Sequence, residues 1–384
     1  MISSVLAVSK ISIVKANPKT IVVPDDYADI QEAIDHASEG DTVFVKSKTY
    51  YNQTLKINKH ISLVGEDPKT TRLLSPPSPQ PPPFVFIFYN TIEILANNVT
   101  ISGFTISAGN IGINGTGNGM RIIENNMTGY RGICLNGNHN IISGNTMSYS
   151  ADITVYGSFN DIIGNRADRT EGTDIYLQGS FNHISENVVE KVTLHKSDSN
   201  TLSNNKMKFL WIGEGAQPCS NNTVYGNIIE GPYIWGILMC CGYNNVFYEN
   251  RIANYSLPYG LGMGVALGGR DIVAKNNTFY RNTFVNNDKH VGYNWDISQC
   301  VNSWDNGFEG NYWDDYKGTD ANGDGIGDTP YIINANNIDR YPLMKPIAIP
   351  EFPNMLISIT LFMVMAIVVV FSRLKVRRKS VVKT

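Results

Sequence analysis

The sequence lacks the residue arrangements that would declare a metal ribbon, a disulfide scaffold or a nucleic-acid binder. Its five cysteines (Cys134, Cys219, Cys240, Cys241, Cys300) are odd in number and never spaced CxxC, which excludes a zinc ribbon and a dense disulfide framework. Cys219 and Cys241 alone stand at equivalent repeat positions, where a bridge between neighbouring coils could form. The six histidines form no HxH or HxxxH pair. Charged residues make up only 17% of the chain, and a net charge of -3 supplies no basic field for a polyanion. Nucleic acid is therefore not an expected partner.

What is present in excess is asparagine, in register. NHNIISGNTM (138–147), SFNDIIGNRA (158–167), SFNHISENVV (180–189), DSNTLSNNKM (198–207), SNNTVYGNII (220–229) and YNNVFYENRI (243–252) share one pattern. In each, an Asn precedes a short aliphatic strand, and a second Asn follows five residues later, at Asn145, Asn165, Asn187, Asn205, Asn227 and Asn250. Degenerate copies lie at 97–106, 118–127 and around Asn276 to Phe284. Between copies runs a second strand of period two, carrying Ile133 and Leu135, Ile153 and Val155, Ile175 and Leu177, then Val192 and Leu194. The alternate residues Cys134, Thr154, Tyr176 and Thr193 point the other way. Three short strands with turns fill a coil of about twenty residues, and no helix fits beside them. Such a coil cannot bury its own apolar side chains, so it must stack on its neighbours. Asn suits the bends because it tolerates left-handed backbone and can bond the amide about 4.8 Å above it. The expected fold is therefore all-β, a right-handed parallel β-helix.

The ends differ from the coils. Asp29 to Ala37 places Ile30, Ala33, Ile34 and Ala37 on one helical face, which predicts an N-terminal capping helix. Residues 75–83 (SPPSPQPPP) cannot pair in a sheet and predict a projecting loop. Met355 to Phe371 carries no charge, is preceded by Pro350 and Pro353, and is followed by Arg373, Lys375, Arg377, Arg378 and Lys379. This predicts a transmembrane helix over 355–372 and a cytoplasmic basic tail at 373–384, leaving the preceding domain outside the cell. Residues 1–19 read as a remnant leader, 20–345 as the β-helix domain and 346–354 as a linker.

The stretch IVVPDDYADIQEAIDHASEGDTVFVKSKTYYNQTLKINKHISLVGED, the repeats after it and GNYWDDYKGTDANGDGIGDTPYIINANNIDRYPL resemble the NosD-type β-helix family of periplasmic copper-binding proteins, over roughly 20–345. The IPEFP before the membrane segment resembles the sorting tails of archaeal surface proteins. The resemblance implies a pectin-lyase-like solenoid outside the cell. It departs from the family at Lys46, Ser47 and Lys48, where members usually carry a Pro-Gly turn.

Several chemistries remain open. DANGDGIGD sets Asp320, Asn322, Asp324 and Asp328 at loop positions one, three, five and nine, with Gly325 at six and the Ile326 carbonyl at seven. This is the oxygen-ligand order of a structural calcium loop within 320–331. Position twelve is Tyr331, so a further carboxylate from Asp314, Asp315 or Asp339 is called for. Copper, which the family name implies, would need clustered soft donors, and Met239, Cys240 and Cys241 are the densest set. By register, Leu238 and Cys240 are expected to face inward. Asp152, Asp174 and Glu171, with Arg166 and Arg169 nearby, could line one face of neighbouring coils, a cluster that reads first as a solvated edge and second as a catalytic groove. The leading expectation is a non-catalytic module binding carbohydrate or an envelope protein through outward Tyr156, Tyr176, Tyr233, Trp235 and Tyr259. A polysaccharide lyase or hydrolase is the first alternative, and it requires carboxylates and a basic side chain to converge in one groove; a copper-binding or copper-delivery protein is the second.

Overall fold

A computed structural model describes residues 17–76, 89–149, 151–167, 174–213, 217–269, 273–293 and 299–349. The leader through residue 16, residues 77–83 of the proline-rich loop, Arg169, Glu171 and the 355–372 segment with its tail lie outside the described residues. Among those described, no helix is long and apolar enough to cross a membrane.

The chain winds as a parallel β-solenoid. Twelve described strands from Thr20–Val23 to Thr278–Tyr280 stack in one sheet, and a second sheet of fifteen includes Ile153–Tyr156, Asp174–Gln178, Lys191–Leu194, Phe209–Ile212 and Trp235–Met239. A third, of five, runs from Lys206–Met207 to Tyr312–Trp313. Every pairing between strands of these sheets is parallel, because each strand meets its counterpart one coil on. The inward positions form columns. Val43, Leu63, Ile101, Ile122, Ile142, Ile162, Ile184, Leu202, Val224, Phe247 and Phe279 follow one another in register, all fully buried. Each such side chain contributes about 1.5–3 kcal/mol by leaving water.

Helix α1 (Ile30–His36) occupies the predicted place. The Asp29 carboxylate accepts from the Glu32 N–H at its start, and Ile30, Ala33 and Ile34 are buried against the strands Thr20–Val23, Thr42–Val45 and Leu55–Ile57.

The asparagines form two ladders. Asn125, Asn145, Asn165, Asn187, Asn205, Asn227, Asn250, Asn282 and Asn311 each lie buried at the same bend. From each, the backbone N–H donates to Oδ1 of the next Asn at 2.9–3.1 Å, and the side-chain Nδ2 donates to the same oxygen. Nδ2 also satisfies a carbonyl of an earlier coil, as Asn205 does for Ile184 at 2.9 Å. The last rung is a carboxylate: Asp339 accepts from Asn311 N–H at 2.7 Å and from the Trp313 indole at 2.8 Å. A second ladder runs from Asn140 through Asn160, Asn182, Asn200, Asn222, Asn245, Asn277 and Asn302 to Asn337. The sequence repeat fades after Asn250 because the next rung, Asn282, lies 32 residues on, beyond a long loop.

One expectation is corrected, and one possibility left open by the sequence is not realised. Leu210 pairs with Ile237 and Ile212 with Met239, so Ile237 and Met239 point into the core while Leu238 and Cys240 take the outward parity. Extra residues between Glu230 and Trp235 shift the alternation by one. The Cys219–Cys241 bridge does not form: the Cys219 N–H donates to the Cys241 carbonyl at 3.1 Å, but both thiols are free. The Cys219 thiol turns instead to the Leu194 carbonyl, and burial pushes it up to about 11.

Candidate functional site

The outward face of the second sheet carries the densest chemistry. Asp174, Lys191 and Phe209 open three successive strands in register. Ile153 pairs with Ile175, so Asp152, one residue ahead of Ile153, continues the column by one coil. Strands in a sheet lie about 4.8 Å apart, so side chains in this column are neighbours. The Asp174 carboxylate meets the Lys191 ammonium at 2.6 Å, both about two-thirds buried. Two residues further along the strands, Cys134, Thr154, Tyr176, Thr193 and Trp211 form a second outward column, and Tyr156 stands beyond them.

These columns enclose two adjoining recesses. One, of about 370 Å³, is lined by Asp174, Glu190, Lys191, Phe209, Tyr233, Ile234 and Trp235. The other, of about 240 Å³, takes in Arg131, Asp152, Tyr156, Tyr176 and again Asp174 and Lys191. The shared Asp174–Lys191 pair makes them one groove crossing several coils. Carboxylates and basic side chains thus converge on one face.

The two ends of the groove differ. On one side Phe209 sits among Trp211, Tyr233 and Trp235, ring centroids 6.0–6.4 Å away. The Tyr233 hydroxyl donates to Glu190, whose carboxylate also faces the Lys208 ammonium at 3.5 Å. Burial, then the Glu190 hydrogen bond, pushes the Tyr233 phenol up. On the other side Tyr156 and Tyr176 tilt together at 6.1 Å. Burial raises the Asp152 carboxyl above the ordinary carboxylate range, the Asp174 charge adds to that, and Arg131 opposes it. Tyr156 is 38% and Tyr233 37% exposed, so the rings are reachable from solvent. Tyr259, expected on the same face, stands 96% exposed in a loop that does not line the groove.

The metal expectations fare differently. In the 320–328 loop, Asp320 accepts from the N–H groups of Gly323, Asp324 and Gly325, and Asp328 from Ala321. Asp324 accepts from Ile326 N–H and from the Asn322 amide, and Gly325 takes φ +90, the sharp turn its position demands. Asp339 cannot supplement the loop, being fully buried at the end of the asparagine ladder. Asp314 and Asp315 turn elsewhere, to His290 Nε2 at 2.9 and 3.2 Å. Among the described residues these three form the one cluster of His, Cys, Asp or Glu with ligand atoms within 4.8 Å. Hydrogen bonding argues against an ion there. Tyr255 N–H donates to Asn287 Oδ1, which directs the Asn287 amide hydrogens to His290 Nδ1. Nδ1 must accept, so Nε2 bears the proton and donates to the two carboxylates. Among the described residues no group of three His, Cys, Asp or Glu side chains forms at Met239, Cys240 and Cys241, and Met239 lies in the core.

Sequence reading named Asp152, Asp174, Tyr156, Tyr176, Tyr233 and Trp235 for this face. It missed Arg131, Glu190, Lys191, Phe209 and Trp211. Lys191 was within reach, because the Ile175–Val192 register extends back by one residue to Asp174–Lys191. Arg166 heads a different strand and does not line the groove.

Residues 180–318 match the family model described as periplasmic copper-binding protein (NosD), which supports the NosD-type resemblance over that stretch. A 105-residue segment is 35% identical to the probable ABC transporter binding protein NosD of Stutzerimonas stutzeri and 34% to that of Pseudomonas aeruginosa. The matched segment is 27% of this chain and 22% of each relative, so the chain spans about a fifth of their length. Among solved structures, the catalytic domain of a GH87 alpha-1,3-glucanase in complex with nigerose is 16% identical, with a TM-score of 0.49 over 78% of this chain and 70% of that one. A mannuronic acid specific polysaccharide family 6 lyase from human gut microbiota is 14% identical, with a TM-score of 0.39 over 76% and 87%. No substrate or activity passes to this chain from either.

Proposed function

We propose that this right-handed β-helix binds an extended polysaccharide along the groove centred on Asp174 and Lys191. The observation that carries the reading is the continuity of the groove: one charged pair joins an aromatic cluster at Phe209 to a tyrosine pair at Tyr156 and Tyr176. Sugar rings present apolar faces to aromatic side chains and hydroxyls to charged ones, and a groove carrying both across several coils fits a chain of such rings better than a compact ligand. Stacking every 4.8 Å or so also gives the site a repeat close to that of a linear polymer.

In this reading α1 covers the open first coil, and the helix expected over 355–372 holds the solenoid on the outer face of a membrane with the basic tail inside. The 320–328 loop is a calcium loop bracing the last coils, with Asp320, Asn322, Asp324 and Asp328 as side-chain ligands and the Ile326 carbonyl as a fifth. Copper handling is not part of this reading.

The test is a glycan array probed with the detergent-solubilised full chain. Binding to at least one polysaccharide is expected, with affinity falling tenfold or more in a Phe209→Ala, Trp235→Ala double variant. Absence of binding, or binding indifferent to those substitutions, overturns it.

A further inference from the structure

We propose that the groove also cuts the polysaccharide it holds, by hydrolysis of a glycosidic bond with Asp152 as the acid and Asp174 as the nucleophile. This rests on the polysaccharide-binding reading above and adds chemistry to it.

The two carboxyl groups occupy the same column in adjacent coils. In-register side chains one strand apart lie about 4.8 Å from each other, close to the roughly 5–5.5 Å that separates the carboxyl pair of retaining glycosidases. Their surroundings divide the labour. Asp152 is burdened by burial and by the neighbouring Asp174 charge, which favours its protonated form. Asp174 has its charge matched by Lys191, bound to Oδ2 at 2.6 Å, which leaves Oδ1 as the attacking atom. Two like groups held in unlike environments is the pattern that assigns one as acid and the other as base or nucleophile.

Asp152 gives its proton to the glycosidic oxygen as the C1–O bond breaks, and Asp174 Oδ1 forms a bond to C1. The first sugar fragment leaves with its new hydroxyl. A water molecule then yields a proton to the Asp152 carboxylate and bonds to C1 while the C1–Oδ1 bond breaks. The second fragment leaves with its anomeric hydroxyl, and both aspartates return to their starting states. Water is the sole co-reactant. Lys191 is a positioning residue that keeps Asp174 oriented, and Arg131 stands where it opposes over-stabilisation of the Asp152 proton.

The experiment incubates the solubilised full chain with neutral glucans and mannans beside alginate and polygalacturonate, and records binding, new reducing ends and unsaturated products separately. Expected are reducing ends without unsaturation for a polysaccharide that is bound, with net retention of anomeric configuration. Asp152→Asn and Asp174→Asn are expected to lower the rate at least a hundredfold while leaving affinity within a few fold, which shows that the variants fold. Lys191→Met is expected to lower the rate and shift its acid-limb midpoint, which a purely structural lysine would not do. A bound polysaccharide left uncut overturns hydrolysis and leaves the binding reading standing. Unsaturated products, inverted configuration or full activity in Asp174→Asn overturn the mechanism. Failure to bind anything in the panel removes both.

Discussion

Replacing Asn205 with alanine should open the solenoid locally at a large free-energy cost. Asn205 Oδ1 accepts the Asn187 N–H at 3.0 Å, and its Nδ2 donates to the Ile184 carbonyl at 2.9 Å. Removing the amide leaves both groups buried without those partners, while Asn227 Oδ1 keeps the Asn205 N–H. Each orphaned buried group costs about 1–3 kcal/mol, so the pair costs about 2–6 kcal/mol. At about 1.4 kcal/mol per factor of ten, amide exchange should quicken by roughly 30-fold to 10⁴-fold in the coils flanking residue 205. Because coils contact only their neighbours, the effect should fade over distance and leave Thr100–Ser102 protected. Asn221→Ala is the control: that asparagine is exposed at φ +58, and losing it should cost only about 1 kcal/mol of left-handed preference. Hydrogen exchange followed by mass spectrometry reads both variants. If Asn205→Ala exchanges no faster than Asn221→Ala, the ladder does not hold the coils together and the reasoning fails.

The C-terminal coils should gain stability on mild acidification. Burial pushes the Asp339 carboxyl up to about 6 against an ordinary 3.8, so the folded state holds this proton more tightly than the unfolded chain does. The protonated form's advantage is complete below about 4 and lost as pH rises through about 6, a difference of about 3 kcal/mol by neutral pH. The Trp313 indole N–H, corrected for intrinsic exchange, should therefore be better protected at pH 5 than at pH 7; the opposite order refutes the assignment. Gly157→Ala should destabilise strongly, because at φ +145 an added Cβ would lie 2.0 Å from the Gly137 carbonyl oxygen; a thermal midpoint within a degree or two of wild type would contradict this. Calcium titration of the full chain should show one site abolished by Asp320→Ala, and an unchanged isotherm in that variant removes the loop as its location.

The solenoid was legible because a buried asparagine must recur at the same bend of every coil, so spacing in sequence reports spacing in space. The inward columns followed from period two, as at Ile153, Ile175 and Val192. Where that logic slipped, the cause was local length: the added residues before Trp235 reversed the parity of Leu238 and Cys240 without altering composition. The groove was half legible. Asp152, Asp174 and the tyrosines stood out as residues with chemistry, yet Glu190, Phe209 and Arg131 became part of it only through the stacking of coils. Asp339 is one of three carboxylates that proximity in sequence offers to the acidic loop, whereas the ladder, continued 28 residues past Asn311, claims it.

A column of amides that each donate in one direction behaves like a growing polymer, since every rung presents to the next subunit what the last presented to it. Identical stacking between separate molecules is how fibrils extend, and a solenoid with an asparagine at its final bend would offer an arriving copy the same hydrogen bond that joins its own coils. Asp339 is a chain terminator in that sense. A carboxylate takes the donors of Asn311 and Trp313 and, when ionised, has none to pass on. The replacement of one amide by one acid thus ends this column at Asp339, while the second column still closes on the amide of Asn337.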